Sequence, residues 1–134
     1  AYDSALVYNP SNIGALNNYA YYLSVERREL DKAEEMSFKT VKAEPKNSTY
    51  LDTYAWILFE KGNYAEARIY IDEALKNGGE QSDVIVEHSG DIYYMTGDVE
   101  NALKFWKKAL EMGSKSATIK KKIEQKKYIT EWKD

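Results

Sequence analysis

The sequence of 134 residues contains no cysteine, only two prolines and a single histidine. Without cysteine the chain has no disulfide, no thiolate zinc site and no cysteine nucleophile. Few prolines and only seven glycines leave room for long helices. The lack of cysteine does not decide between the cytoplasm and the periplasm or envelope, so the compartment stays open.

Long apolar runs are also missing, and none approaches the ~20 residues that span a bilayer. No signal peptide is visible, and we expect a soluble segment without direct membrane insertion. The net charge is −3, and seven lysines stand against three acids in residues 113–134, so the remainder is acidic. We therefore expect no nucleic-acid binding by the body of the chain.

Motifs that carry chemistry are absent as well: no phosphate-binding glycine loop, HExxH, calcium loop or Gly-x-Ser-x-Gly elbow occurs. His88 is the one candidate for proton or metal chemistry, with Glu87 and Asp91 close in sequence. Such a role needs further partners, so we expect a groove or surface histidine instead. We predict no enzyme, no catalytic residues, no cofactor and no bound metal.

What the chain does have is an internal repeat. Residues 50–79 and 85–114 match at a constant offset of 35, with a small residue early, a glycine at a break and a later Ala-Leu pair. An earlier copy in residues 15–47 has a turn one residue longer, with Arg27 and Arg28 where the others have glycine. Each copy has apolar residues at helical spacing in both halves, which predicts two helices per copy. Gly62 and Gly97 fit the left-handed residue that ends a first helix, and Pro45 fits the end of a second.

This pattern resembles the tetratricopeptide repeat, in which large, small and proline positions recur over 34 residues. The resemblance implies an all-α fold, an α-α superhelix of antiparallel helix pairs with a C-terminal capping helix. The matching residues of the second copy are Leu51, Tyr54, Ala55, Leu58, Gly62, Tyr64, Ala67, Ile71 and Ala74. Those of the third are Val86, Ser89, Gly90, Tyr93, Gly97, Val99, Ala102, Trp106 and Ala109. The first offers Leu16, Tyr19, Ala20, Leu23, Leu30, Ala33, Ser37, Thr40 and Pro45 and departs most, at Ser37 and Thr40.

We treat the chain as one domain and divide it according to the spacing of the matched repeat positions. Residues 1–11 are predicted as the second helix of a truncated preceding repeat, with Ala5, Leu6 and Pro10 at the places of Ala74, Leu75 and Gly79. Repeats follow at 12–47, 48–81 and 82–114, and 115–134 form the capping helix. Ile119 and Ile123 give that helix an apolar stripe, and we expect its lysines to face solvent. The style of the repeats is similar to C-terminal repeat regions of larger, bacterial proteins.

The resemblance implies that the first helices line a concave groove. The candidate groove residues carried over on this basis are Asn17, Asn18, Tyr21, Asp52, Thr53, Trp56, Glu60, Glu87, His88, Asp91 and Tyr94, to which Ser24 belongs by the same register. Some members of the family hold a peptide's terminal carboxylate with Lys and Arg in this groove. The matching places here carry neither, so anionic peptide ends are disfavoured, and the acids favour a basic segment.

Four functional hypotheses remain, and one of them, contact of the lysine-rich tail with an anionic membrane or nucleic acid, is less expected than simple solvation of the capping helix. The first is a protein-interaction module or scaffold that binds a partner segment in the groove, with aromatic side chains as anchors. The second is a structural end of a repeat array that pairs with another copy of itself, a homo-oligomer without a peptide ligand. An enzyme is the third and weakest, because no constellation of reactive residues is evident.

Overall fold

The computed structural model describes residues 12–129, and within that range seven α-helices and no β-strand occur. The helices are α1 Ile13–Val25, α2 Leu30–Ala43, α3 Ser48–Glu60, α4 Tyr64–Lys76, α5 Asp83–Met95, α6 Val99–Glu111 and α7 Ile119–Gln125. A single 3-10 turn, Gly79–Gln81, lies between α4 and α5. The predicted helix in residues 1–11 lies outside the described residues, as does 130–134 at the end of the predicted cap.

The first helix of each pair begins at a polar side chain that caps it. The Asn12 Oδ1 of α1 accepts a hydrogen bond from the backbone N–H of Ala15 at 2.9 Å. In α3 the Oδ1 of Asn47 accepts in the same way from Tyr50 at 3.1 Å, and Ser82 caps α5. These bonds satisfy backbone donors that a helix start leaves without partners, so the local sequence sets where each pair begins.

The turns within the pairs depend on left-handed backbone. Gly62 and Gly97 have φ of 84° and 93°, which confirms their predicted role at the ends of α3 and α5. Arg27, 35 residues before Gly62, also has a positive φ, at 53°. For a residue with a side chain, the left-handed backbone conformation costs about 1–2 kcal/mol of free energy. The guanidinium Nε of Arg27 donates to Glu60 Oε2 at 2.9 Å, so the unfavourable turn comes with a contact to the next pair.

Small residues bring the helices of each pair together. Ala20 and Ala55 have no exposed surface in α1 and α3. At Gly90 in α5 a Cβ atom would lie 2.4 Å from Cδ1 of Trp106 in α6. The indole of Trp106 is fully buried against this glycine, and it fills the space that a side chain there would need.

Consecutive helices pack against each other along the chain, and each first helix also contacts the next first helix. One apolar core runs from α2 to α5. Neighbouring clusters join α1 to α2 and α3 at one end and α5 to α7 at the other. The predicted all-α solenoid of helix pairs with a C-terminal capping helix is confirmed. None of the helices in residues 12–129 has both the length and the apolar character needed to cross a membrane.

Candidate functional site

A groove of about 570 Å³ lies along the first helices. Helices α1, α3 and α5 contribute to its walls, and the segment 113–129, which includes α7, closes it. The residues that line this groove are Tyr21, Val25, Trp56, Glu60, Asp83, Val84, Glu87, His88, Asp91, Gly113, Ser114, Lys115, Ser116, Lys122, Tyr128 and Ile129.

The structure brings a subset of the predicted groove residues together. The candidates that line the groove are Tyr21, Trp56, Glu60, Glu87, His88 and Asp91. Asn17, Asp52 and Thr53 are buried instead of lining it. Asn18 is exposed away from the groove, and the Tyr94 ring packs near Trp106, with centroids 5.9 Å apart. Asn17, Asn18, Asp52, Thr53 and Tyr94 therefore do not form its wall.

Trp56 lies at the centre of a stack of rings in the groove. Its ring is stacked on His88, with centroids 4.0 Å apart and planes at 16°, and on Phe59, with centroids 4.5 Å apart. Phe59 in turn meets the edge of Tyr128 from the C-terminal segment at 5.2 Å. The stack fixes the orientation of the His88 ring, because a flat neighbour opposes its rotation.

The imidazole of His88 is tied to a carboxylate on the neighbouring first helix. Its Nδ1 lies 2.8 Å from Oδ1 of Asp52, and the two side chains are only 11% and 8% exposed. Burial acts to lower the pKa of His88, but the charge and hydrogen bond of Asp52, with the charges of Asp91 and Glu87, outweigh it and the pKa is raised. The imidazolium is thereby favoured.

The other ring nitrogen of His88 has a different environment. Among residues 12–129, Nε2 makes no hydrogen bond. It is also not among the buried polar atoms that lack a partner, so it retains some solvent-accessible surface on a residue that lines the groove. The pair with Asp52 therefore leaves one polar atom of the ring available there.

Lys122 of α7 forms a buried ionic cluster with two acids of α5. Its Nζ donates to Glu87 Oε2 and to Asp91 Oδ1, both at 2.8 Å. The indole Nε1 of Trp106 donates to the same Asp91 oxygen at 2.9 Å. The Ser114 hydroxyl donates to Glu87 Oε1 at 3.0 Å. The cluster thus joins α7 and the α6–α7 connection to α5.

The protonation of this cluster follows from burial and mutual attraction. Burial acts to raise the pKa of Glu87, but Lys122 and the hydrogen bonds of Ser116 and Ser114 bring it below its usual value. Burial raises the pKa of Asp91 to about 6 against the opposing charge of Lys122. For Lys122 the attraction of both acids outweighs burial, and its pKa is raised.

The expectation that the cap lysines face solvent is wrong for Lys122, which is only 3% exposed. Its partners attract it into the interior, and two charge-assisted hydrogen bonds offset its lost hydration. One signal could have found it: Lys122 follows Glu87 by 35 residues, the repeat period. Extending the register past residue 114 places it at the next first-helix position, beside Glu87.

Two further acids of the groove differ in their environment. The Glu60 side chain is 6% exposed and is bound to Arg27. Burial raises the pKa of Glu60 despite the opposing charge of Arg27. The side chain of Asp83, the first residue of α5, makes no hydrogen bond or ion pair within the described part of the chain. Asp83, which the sequence reasoning missed, is therefore the groove carboxylate that remains available for an external cation.

Exposed apolar side chains accompany these polar groups. Tyr21 and Val25 on α1 are 37% and 42% exposed, and Val84 on α5 is 47% exposed. All three line the groove. An open groove with exposed apolar groups on two of its helices is a common feature of protein-binding surfaces.

No protein-family model and no curated protein sequence matches the chain. Solved structures do match, and they define the class of fold: this chain has the fold of a tetratricopeptide-repeat (TPR) domain. The first TPR of Spaghetti (RPAP3) bound to HSP90 peptide SRMEEVD has a TM-score of 0.75 at 16% identity, over 85% of this chain and 89% of that one. The NMR structure of the first TPR domain of human RPAP3 has a TM-score of 0.76 at 16% identity, over 88% and 91%.

Proposed function

We propose that this domain is a non-catalytic protein-interaction module that holds a segment of a partner protein in the groove. The observation that carries the proposal is the cluster of exposed apolar side chains, Tyr21, Val25 and Val84, around one groove that also presents Trp56. Burying such groups against a partner releases about 25 cal/mol per Å² of apolar surface. Anchors of this kind dominate binding energy at interfaces.

A segment with a basic residue fits this groove better than an acidic one. Its lining contains four acids and two lysines. Lys122 already binds both Glu87 and Asp91, so an external cation is directed to Asp83. Asp83 is only partly buried, so such a contact contributes at most about 1 kcal/mol. It therefore affects which partner is preferred more than how tightly a partner binds.

The matched structure of Spaghetti supports a peptide-binding role by analogy, since that TPR is bound to the HSP90 peptide SRMEEVD. SRMEEVD has three acids, and acids occupy the groove here. We expect the domain to bind a basic, aromatic-containing peptide more tightly than SRMEEVD.

The test is a fluorescence-anisotropy screen of amidated nine-residue peptides that contain Lys or Arg with Trp, Phe or Leu, with SRMEEVD as the acidic comparison. Val84→Ser should weaken the tightest peptide severalfold. The matched control is Ile69→Ser, at an aliphatic residue of α4 that is 60% exposed and outside the groove. Asp83→Asn should weaken binding by a smaller factor, against Glu111→Gln, an exposed acid outside the groove.

The proposal fails if no peptide binds, or if Ile69→Ser weakens binding as much as Val84→Ser. Tighter binding of SRMEEVD than of every basic peptide would contradict the proposed charge preference alone.

A further inference from the structure

We infer that His88 is a specificity-determining residue of the groove, and that its Nε2–H donates a hydrogen bond to a main-chain carbonyl oxygen of the bound segment. This inference rests on the proposed function, because it names the polar contact that the partner makes there. It adds a residue role and a pH dependence that the apolar anchors alone do not require.

Fixed geometry is the first argument. The Asp52 carboxylate holds Nδ1 at 2.8 Å, and the Trp56 ring is stacked 4.0 Å away, so both the tilt and the rotation of the imidazole are restrained. Restraint of this kind lowers the entropy cost of a new hydrogen bond. The carboxylate also sets the ring's chemistry, because a proton on Nδ1 is the one that it binds.

The state of Nε2 is the second argument. Charged groups act on the ring from two helices, namely Asp52 and Glu60 on α3 and Glu87 and Asp91 on α5. Lys122 of α7 is the cation that binds the two acids of α5. The acids outnumber the lysine, so the doubly protonated ring, in which Nε2 carries a hydrogen, is favoured relative to a free imidazole. In that state Nε2 is a charge-assisted donor on a side chain that lines the groove.

Two acids of α5 in the groove already have internal partners. The Glu87 and Asp91 carboxylates are bound by Lys122, Ser114 and Trp106. An extended segment that lies in the groove brings carbonyl oxygens, which lose water on binding and need donors. His88 Nε2 is a donor that internal bonds among residues 12–129 leave unused.

A pair of substitutions separates recognition from structure. In His88→Asn the amide nitrogen stands near the position of Nδ1 and keeps the bond to Asp52, but the donor to the groove is lost. In His88→Gln the amide nitrogen stands near Nε2, so the donor to the groove is kept. The probe is the tightest amidated peptide of the screen, whose amidation leaves no terminal carboxylate as acceptor, and its Kd is measured from pH 6 to 8.5.

We expect the unmodified domain to bind the peptide more tightly as pH falls through the His88 pKa. His88→Asn should lose about tenfold in affinity, as for a hydrogen bond to a charged group. His88→Gln should lose less, and neither variant should keep the pH dependence. Because His88 is the only histidine in the sequence, its imidazole NMR signals need no assignment, and its pKa should rise when peptide binds.

The inference is overturned if the peptide binds with a pH-independent Kd, or if His88→Asn binds like the unmodified domain. Stronger loss in His88→Gln than in His88→Asn would report a structural role through Asp52 and overturn it as well. These results leave the peptide-binding proposal standing. Failure of every peptide in the screen removes both.

Discussion

Ser37 stands at a position where repeats of this class usually have a small or apolar residue. It is fully buried in α2, and its Oγ has no hydrogen-bond partner within the described residues. The next buried polar residue of the same helix, Thr40, does find one, since its hydroxyl donates to the carbonyl of Ser37 at 2.6 Å. Ser37 therefore loses the hydration of its hydroxyl without compensation.

Ser37→Ala should raise the free energy of unfolding by about 1 kcal/mol, because it removes a buried hydroxyl without a partner. Urea denaturation followed by circular dichroism measures the change. Ser89→Ala is the matched control: that serine is equally buried, but its hydroxyl donates to the Ile85 carbonyl at 2.8 Å. The control should be neutral or less stable, and a loss of stability in Ser37→Ala would contradict the argument.

Gly90→Ala should lower the free energy of unfolding by about 1–3 kcal/mol through overpacking. The new Cβ would lie 2.4 Å and 2.5 Å from Cδ1 and Nε1 of Trp106, whose indole cannot move without losing its bond to Asp91. Thermal unfolding measures the change. Gly14→Ala in α1 is the control, since its Cβ meets only Asn12 Oδ1 at 3.5 Å. Equal stabilities of the two variants would exclude close packing as the role of Gly90.

At the scale of elements, α7 is short, and polar as well as apolar contacts hold it in place. It has only seven residues, and an isolated helix of that length is unstable in water. Ile119 is 2% exposed in the apolar cluster with Trp106, and Lys122 binds α5. The wall of the groove formed by residues 113–129 therefore depends on an ionic cluster.

Lys122→Met should destabilise the docking of α7 by about 3–5 kcal/mol, because it leaves two buried carboxylates without their cation. Relative to the unmodified domain, amide hydrogen exchange in this variant should then be accelerated more in α7 than in α3. The control is Lys121→Met, at a neighbouring lysine that is exposed. Adding Glu87→Gln and Asp91→Asn to Lys122→Met should recover part of the loss. Unchanged exchange in α7 would show that its apolar contacts are sufficient.

At the scale of the whole molecule, His88 links stability to pH. Its pKa is raised in the folded state, so its contribution is fully present below about pH 6.5, the unfolded value. That contribution is lost as the pH rises through the folded pKa. The free energy of unfolding should therefore decrease above pH 6.5 more in the unmodified domain than in His88→Asn, which has no titrating ring. Urea unfolding at a series of pH values measures both slopes, and equal slopes would contradict the predicted shift.

Much of the fold could be predicted from the sequence because its determinants are local or periodic. Gly62 and Gly97 mark left-handed turns, Asn47 caps a helix, and Ala55 and Gly90 admit a close neighbour. The candidate site was predicted less completely. Position in the repeat placed Trp56 and His88 beside the groove, but it also selected Asp52 and Thr53, which are buried.

The sequence by itself determined the repeat period, the helix pairs and the turns, since each depends on residues a few positions apart or on a pattern repeated every 35 residues. Only the tertiary structure decided how the charges pair. Asp52 binds His88 across 36 residues, and Lys122 binds Glu87 and Asp91 across 35 and 31. Pairing depends on distance and burial, because a charge that loses its hydration on burial is stable only beside a partner. Those pairs leave His88 Nε2, the Asp83 carboxylate and the Lys115 ammonium among the polar groups of residues 12–129 that the groove can offer to another molecule.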